Sequence, residues 1–241
     1  VTIMTTNTTT LTPENAAKAA RVYLSRRVAG TKAESLAADC RAETLEDAFA
    51  VHQEMIKQRP DAVTAWKCLL PISDQQLIVA PIFADSVQSG DSISMLKDNG
   101  KARIEPEVVF VLGKDLPAQQ ADFSEQDIND AIGSCHMALE LMQDRFSADQ
   151  TIEFPERLAD GLLNQGLFIG PEIEKAAAFK AATVDLTITQ TDADGTVTEQ
   201  SLAGKHPNPL PQDPVYWVIN YMSKIIYINT SSCNISCNKY I

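Results

Sequence analysis

An α+β fold is predicted by three observations. Two strong helix-start signals fall before residue 62, short apolar runs replace helical periodicity after Pro60, and turn-forming residues punctuate those runs. The chain has 241 residues, 44% of them hydrophobic and 22% charged, which allows one large domain or two small ones with a buried core.

The first ten residues (VTIMTTNTTT) are polar and Thr-rich, and are expected to form a disordered leader. They carry neither the basic nor the apolar region of a secretory signal, and no apolar run in the chain is long enough to span a membrane, so a cytoplasmic location is expected. A helical segment over 11–62 follows. Thr12-Pro13-Glu14 reads as a cap with Pro at the first helical position, ahead of Ala16, Ala17, Ala20, Tyr23 and Leu24 at helical spacing. Thr44-Leu45-Glu46-Asp47 starts a second helix that should run to about Lys57, because Arg59-Pro60 cannot continue it. His52 lies within this helix, where a partly buried or surface position is the more ordinary reading than a ligand.

Strands are expected at 63–70 (VTAWKCLL), interrupted by Lys67, and at 77–83 (LIVAPIF), where Pro81 confines the run to an edge or bend. A short strand at 91–96 and a central one at 106–112 should follow, then a helix at 122–132. The run 137–142 (MALELM) is ambiguous and is read as a strand; as a helix it would bring His136 and Glu140 onto one face. Runs at 166–170 and 183–189 complete the strands, and DADG at 192–195 is a hairpin turn into 196–198. Residues 204–214 (GKHPNPLPQDP) form a Pro-rich loop leading into a Trp-containing helix. After Lys224 the composition shifts to Ile, Asn, Ser and Cys, marking 223–241 as an atypical tail. The body of the molecule is thus expected over 63–222.

The net charge is −12, from 32 acidic and 20 basic residues, which disfavours nucleic acid and anionic membrane surfaces as partners. An anionic substrate would need a local reversal of sign, which a bound metal supplies. The five cysteines form no CxxC pair, and Cys233 and Cys237 lack a nearby His, so neither a disulfide framework nor a zinc site is expected.

Residues 101–117 (KARIEPEVVFVLGKDLP) carry the most informative pattern. Glu105 and Glu107 are two apart at the head of an apolar run, so on a strand both carboxylates project from one face. That arrangement suits a hard divalent cation, although for the pair taken alone a solvated strand end is the more ordinary reading.

The combination of EPEVVFVLGKDLP, ALELMQDR at 138–145 and a GKHP loop running into a Trp helix resembles the 2-keto-4-pentenoate hydratase branch of the fumarylacetoacetate hydrolase (FAH) superfamily, over residues 45–222. The resemblance implies an FAH-like mixed β-roll core behind the N-terminal helical segment, and a homo-oligomer. It implies one divalent metal, Mg2+ or Mn2+, held by Glu105, Glu107 and Glu140. It implies a small anionic 2-oxo acid as substrate, from aromatic catabolism. A cation on that site would stabilise negative charge on the C2 oxygen of a 2-hydroxy-2,4-dienoate while water adds at C4, giving a 4-hydroxy-2-oxo acid. Decarboxylation of a 2-oxo acid, acylpyruvate hydrolysis, or a catalytically impaired relative on the same fold are the alternatives.

The resemblance makes Lys67 the catalytic lysine; its alternative is an exposed strand-edge Lys. It places Arg145 against a substrate carboxylate, with an ion pair to Asp144 as the alternative. Departures from the family pattern fall at Cys68 to Leu70, at Ile78 where an acid is usual, in the loop Asp160 to Gly166, and in the tail.

Overall fold

The computed structural model describes residues 10–69, 78–98, 102–116, 123–175, 178, 184–191 and 196–205. In chain order the elements are α1 (Pro13–Ala29), α2 (Leu45–Gln58), β1 (Val63–Leu69), β2 (Ile78–Phe83), a 3-10 turn (Ala84–Ser86), β3 (Val87–Ser89), β4 (Arg103–Leu112), α3 (Glu125–Ala131), β5 (Ile132–Met142), α4 (Phe154–Ala159), β6 (Asn164–Ile173), β7 (Val184–Thr191) and β8 (Val197–Lys205). None of the helices described is long and apolar enough to cross a membrane. The chain divides into two compact units. One joins the described residues up to Val63 with Gln143–Asn164; the other joins Thr64–Met142 with the described residues from Gln165 onward.

In the first unit both predicted helices form where their caps place them. The Thr12 hydroxyl accepts the Asn15 N–H at the start of α1, and Gly30, at φ 65°, ends it in the left-handed region that glycine tolerates. Thr44 and Asp47 form a reciprocal capping box on α2, and the helix stops at Arg59, next to Pro60. Asp47 does more than cap. Its buried carboxylate also accepts the backbone N–H groups of Thr10, Leu11 and Glu43 and the Thr10 hydroxyl, fastening the last residue of the expected leader. Ala16, Ala19, Ala20 and Tyr23 of α1 and Ala48, Val51 and Met55 of α2 are buried. From the returning segment, Glu156 of α4 accepts from the Tyr23 hydroxyl, the Ser35 hydroxyl and the Leu36 N–H.

In the second unit β1 pairs with β2, and a four-stranded sheet has the order β3-β6-β5-β4. β4 and β5 are antiparallel over their whole length, from Arg103 opposite Met142 to Leu112 opposite Ile132. Among the described strands β4 is outermost, which is where Pro106 can sit within a strand, since its ring nitrogen has no hydrogen to offer a neighbour. Ala65, Ile82, Val109, Ala138 and Leu167 form a fully buried cluster, with Val87, Val111 and Ile169 packed against it. Close backbone approach is needed at Gly166, where an added Cβ would lie 2.6 Å from the Ser86 carbonyl oxygen.

Several boundaries differ from expectation. No strand forms at 91–96. Instead the Gln88 side-chain amide bonds both the N–H and the C=O of Ser94, taking up groups that a ladder would use, while Val87–Ser89 pairs in parallel with β6. The helix expected over 122–132 is shorter, because Ser124 and Asp127 form a capping box and Ile132 already begins β5. The helix α4 is additional; Pro155 in its first turn was the available start signal. β7 and β8 flank the expected turn, with Thr191 opposite Val197. The turn at 192–195, the Pro-rich loop beyond Lys205, the Trp helix, the tail and residues 1–9 lie outside the described residues.

Candidate functional site

The register of β4 against β5 assembles the acidic residues. Glu105 stands directly opposite Glu140, and Glu107 opposite Ala138. Residues opposite one another in an antiparallel pair share a face, with Cβ atoms about 4.5–5.5 Å apart, and so do residues two apart on one strand. Glu105, Glu107 and Glu140 therefore line one face of the sheet. Glu107 is 2% exposed, Glu140 is fully buried and Glu105 is half-buried.

The same face continues through Val109 and Ala138 into the apolar cluster, which closes one side of the acidic patch. Ala65 of β1 belongs to that cluster, so the next residue on its face of β1, Lys67, is directed along the same surface. Lys67 is 4% exposed, and its Nζ donates to Glu140 Oε2 at 2.7 Å. Of the two positions open to Lys67 in sequence, the exposed strand edge is excluded. Cys68 is also buried, on the opposite face of β1, and burial pushes its thiol well above the usual range. Ile78 is buried in β2 and contributes no carboxylate, while Asp85 is exposed on the turn after β2; Leu70 and Asp74 lie outside the described residues.

A hard divalent cation fits this patch in donor chemistry and in strand placement, since three carboxylates on one face supply the oxygens such ions take. The side chains are not gathered, however. Among the described residues, no three His, Cys, Asp or Glu side chains form a ready-made metal group. His136 does not join the acids. It lies four residues from Glu140 on β5, about 13 Å along a strand, where one ring nitrogen meets the Ser134 hydroxyl at 3.0 Å and the other the Gly170 carbonyl at 3.1 Å.

Arg145 belongs to the first unit and is fully buried. Its Nε donates to both carboxylate oxygens of Asp160, at 3.0 and 2.9 Å, and its Nη2 to the Asp160 carbonyl at 3.1 Å. The ion pair foreseen for it exists, but with Asp160. Asp144 instead accepts the Phe146 N–H and faces Arg157 at 3.5 Å. Asp160 was missed because it closes α4, a helix the sequence did not announce, fifteen residues along the chain from Arg145. His52 is buried and bonds the Leu158 carbonyl through Nε2 at 2.6 Å; burial holds its pKa down at about 4, so it is neutral near pH 7 and poorly suited to acid–base work.

No protein-family model matches the chain, and no curated protein matches it in sequence. Solved structures do. The 4-oxalocrotonate decarboxylase from Pseudomonas putida G7 complexed with magnesium and adipate aligns at a TM-score of 0.68 with 16% identity, covering 93% of this chain and 90% of its own. The same enzyme complexed with calcium and acetate aligns at 0.67, with the same identity and coverage. These likenesses show the fold: α+β and FAH-like, the class predicted from sequence.

Proposed function

We propose that the chain is a divalent-metal-dependent lyase acting on a small anionic 2-oxo acid, with hydration of a 2-hydroxy-2,4-dienoate to a 4-hydroxy-2-oxo acid as the leading reaction. One observation carries the reading. Glu105, Glu107 and Glu140 share a sheet face with a buried lysine ammonium against one of them. Mg2+ or Mn2+ bound to these three carboxylates would act as a Lewis acid toward the C2 oxygen of the substrate. The chain supplies the rest. The acidic side chains hold the ion and thereby reverse the local sign for an anionic ligand. Lys67 Nζ is an N–H donor beside the patch and is the group that would give a proton to substrate carbon. The cluster of Ala65, Ile82, Val109, Ala138 and Leu167 keeps water from one side. For Arg145 a bracing role within its own unit is preferred over substrate contact, because its Nε and Nη2 are committed to Asp160. A homo-oligomeric cytoplasmic enzyme of aromatic catabolism is the setting that this reading implies.

Decarboxylation of a 2-oxo diacid is the second reading, favoured by the likeness to a 4-oxalocrotonate decarboxylase seen with magnesium. Both are tested by one experiment. Purified protein, stripped with chelator, is given Mg2+ or Mn2+ and offered 2-hydroxypenta-2,4-dienoate or 4-oxalocrotonate, with loss of absorbance and release of CO2 followed separately. Turnover that needs metal and falls at least a hundredfold in Glu107→Gln is expected. Turnover persisting equally in chelator would refute the metal-dependent lyase, and CO2 release without hydration would select the second reading.

A further inference from the structure

We infer that Lys67 is a resident counter-cation for Glu140 that a divalent ion has to displace, so that metal binding and release of the Lys67 ammonium are one event. The inference rests on the metal-site reading above. Glu140 is fully buried, and a carboxylate in that position needs a positive partner. β1 provides one, with Lys67 Nζ at 2.7 Å and both side chains at or below 5% exposure. The geometry that satisfies Glu140 also works against the ion. One of its oxygens is engaged by an ammonium, and the three carboxylates share a face without being gathered into a metal group.

A divalent ion drawing on Glu105, Glu107 and Glu140 would meet the ammonium across a shared carboxylate, and two cations at such range repel strongly in a medium from which water is excluded. The lysine then swings off Glu140 as the ion enters. Two consequences follow. Three carboxylates alone would hold the ion more tightly than this chain does. Lys67 also becomes available to a substrate only after the metal is in place, which orders metal before substrate.

Binding is the readout, independent of turnover. Mn2+ is titrated into the full-length protein, with free Mn2+ measured by electron paramagnetic resonance, for wild type, Lys67→Met, Lys67→Gln and Lys67→Arg. Both neutral variants are expected to bind Mn2+ at least tenfold more tightly than wild type, while Lys67→Arg stays within about threefold. Their melting temperatures without metal are expected to fall, and to rise further on Mn2+ addition than wild type does. Lys67→Gln keeps an N–H for Glu140, and so tests the charge if Lys67→Met does not fold without metal. Equal or weaker Mn2+ binding by the neutral variants would overturn the inference and leave the metal site standing, with Lys67 bracing Glu140 for the ion. No Mn2+ binding by any of the four proteins would remove the metal site and the inference together.

Discussion

Arg145 and Asp160 offer the sharpest test of what holds the first unit together. Both side chains are fully exclued from solvent, joined by two bonds from Nε to the carboxylate and one from Nη2 to the Asp160 carbonyl. Replacing Arg145 with Met leaves a carboxylate buried without its cation, a change that costs about 3–5 kcal/mol. Against a total of about 5–15 kcal/mol for a domain, that is a large fraction. With a urea slope of about 2 kcal/mol/M, the midpoint should fall by roughly 1.5–2.5 M. Asp160→Leu should cost a similar amount by stranding the guanidinium. The double variant should cost clearly less than the sum of the two, because it strands neither charge. Urea unfolding followed by circular dichroism at pH 7 measures all three. Single losses below about 1 kcal/mol, or a double loss equal to the sum, would refute the view that the pair is a mutually dependent buried unit.

His52 predicts a pH effect of defined sign. Its pKa is about 4 when folded against 6.5 for the ordinary group, so the unfolded chain takes up a proton first as pH falls. The stability associated with neutral His52 is complete above about pH 6.5 and is lost between there and about pH 4, amounting to about 3 kcal/mol. His52→Gln, which can still donate to Leu158, should flatten the pH dependence of unfolding by that amount; an unchanged slope would count against it. Gly166→Ala should destabilise the second unit by roughly 1–3 kcal/mol in denaturant unfolding, because the new Cβ would lie 2.6 Å from a backbone oxygen that cannot turn away. A loss under about 0.5 kcal/mol, the spread of ordinary surface substitutions, would show that the Ser86 backbone yields.

Local signals were legible and distant partners were not. The caps at Thr12 and Thr44 act within four residues of chain, so α1 and α2 could be placed from sequence. The period of two in a strand likewise put Glu105 and Glu107 on one face, whatever β4 paired with. That Glu140 stands opposite Glu105 depends on a register between segments some thirty-five residues apart, and the sequence reached it only through resemblance. The burial of Lys67 is of the same kind. Nothing within VTAWKCLL distinguishes a lysine over a carboxylate from one at a strand edge, because Ala65 seats β1 only against residues of other strands. Where local chemistry misled, a side chain had entered the backbone's accounts: Gln88 bonds Ser94, and the run 91–96 does not become a strand.

Pro106 bears on assembly as well as on the strand that contains it. An outer strand with free N–H and C=O groups is a template on which a second chain can extend the sheet. In β4 the end that carries the acids is Arg103-Ile104-Glu105-Pro106-Glu107, where a proline interrupts the row of donors and charged residues stand on either side of it. Strand addition there would have to proceed past a missing donor and would crowd the carboxylates proposed to hold the ion. The tripeptide Glu-Pro-Glu thus presents two acids while leaving a gap in the donor row of what is, among the described strands, an outer edge, which disfavours strand addition by a second chain there.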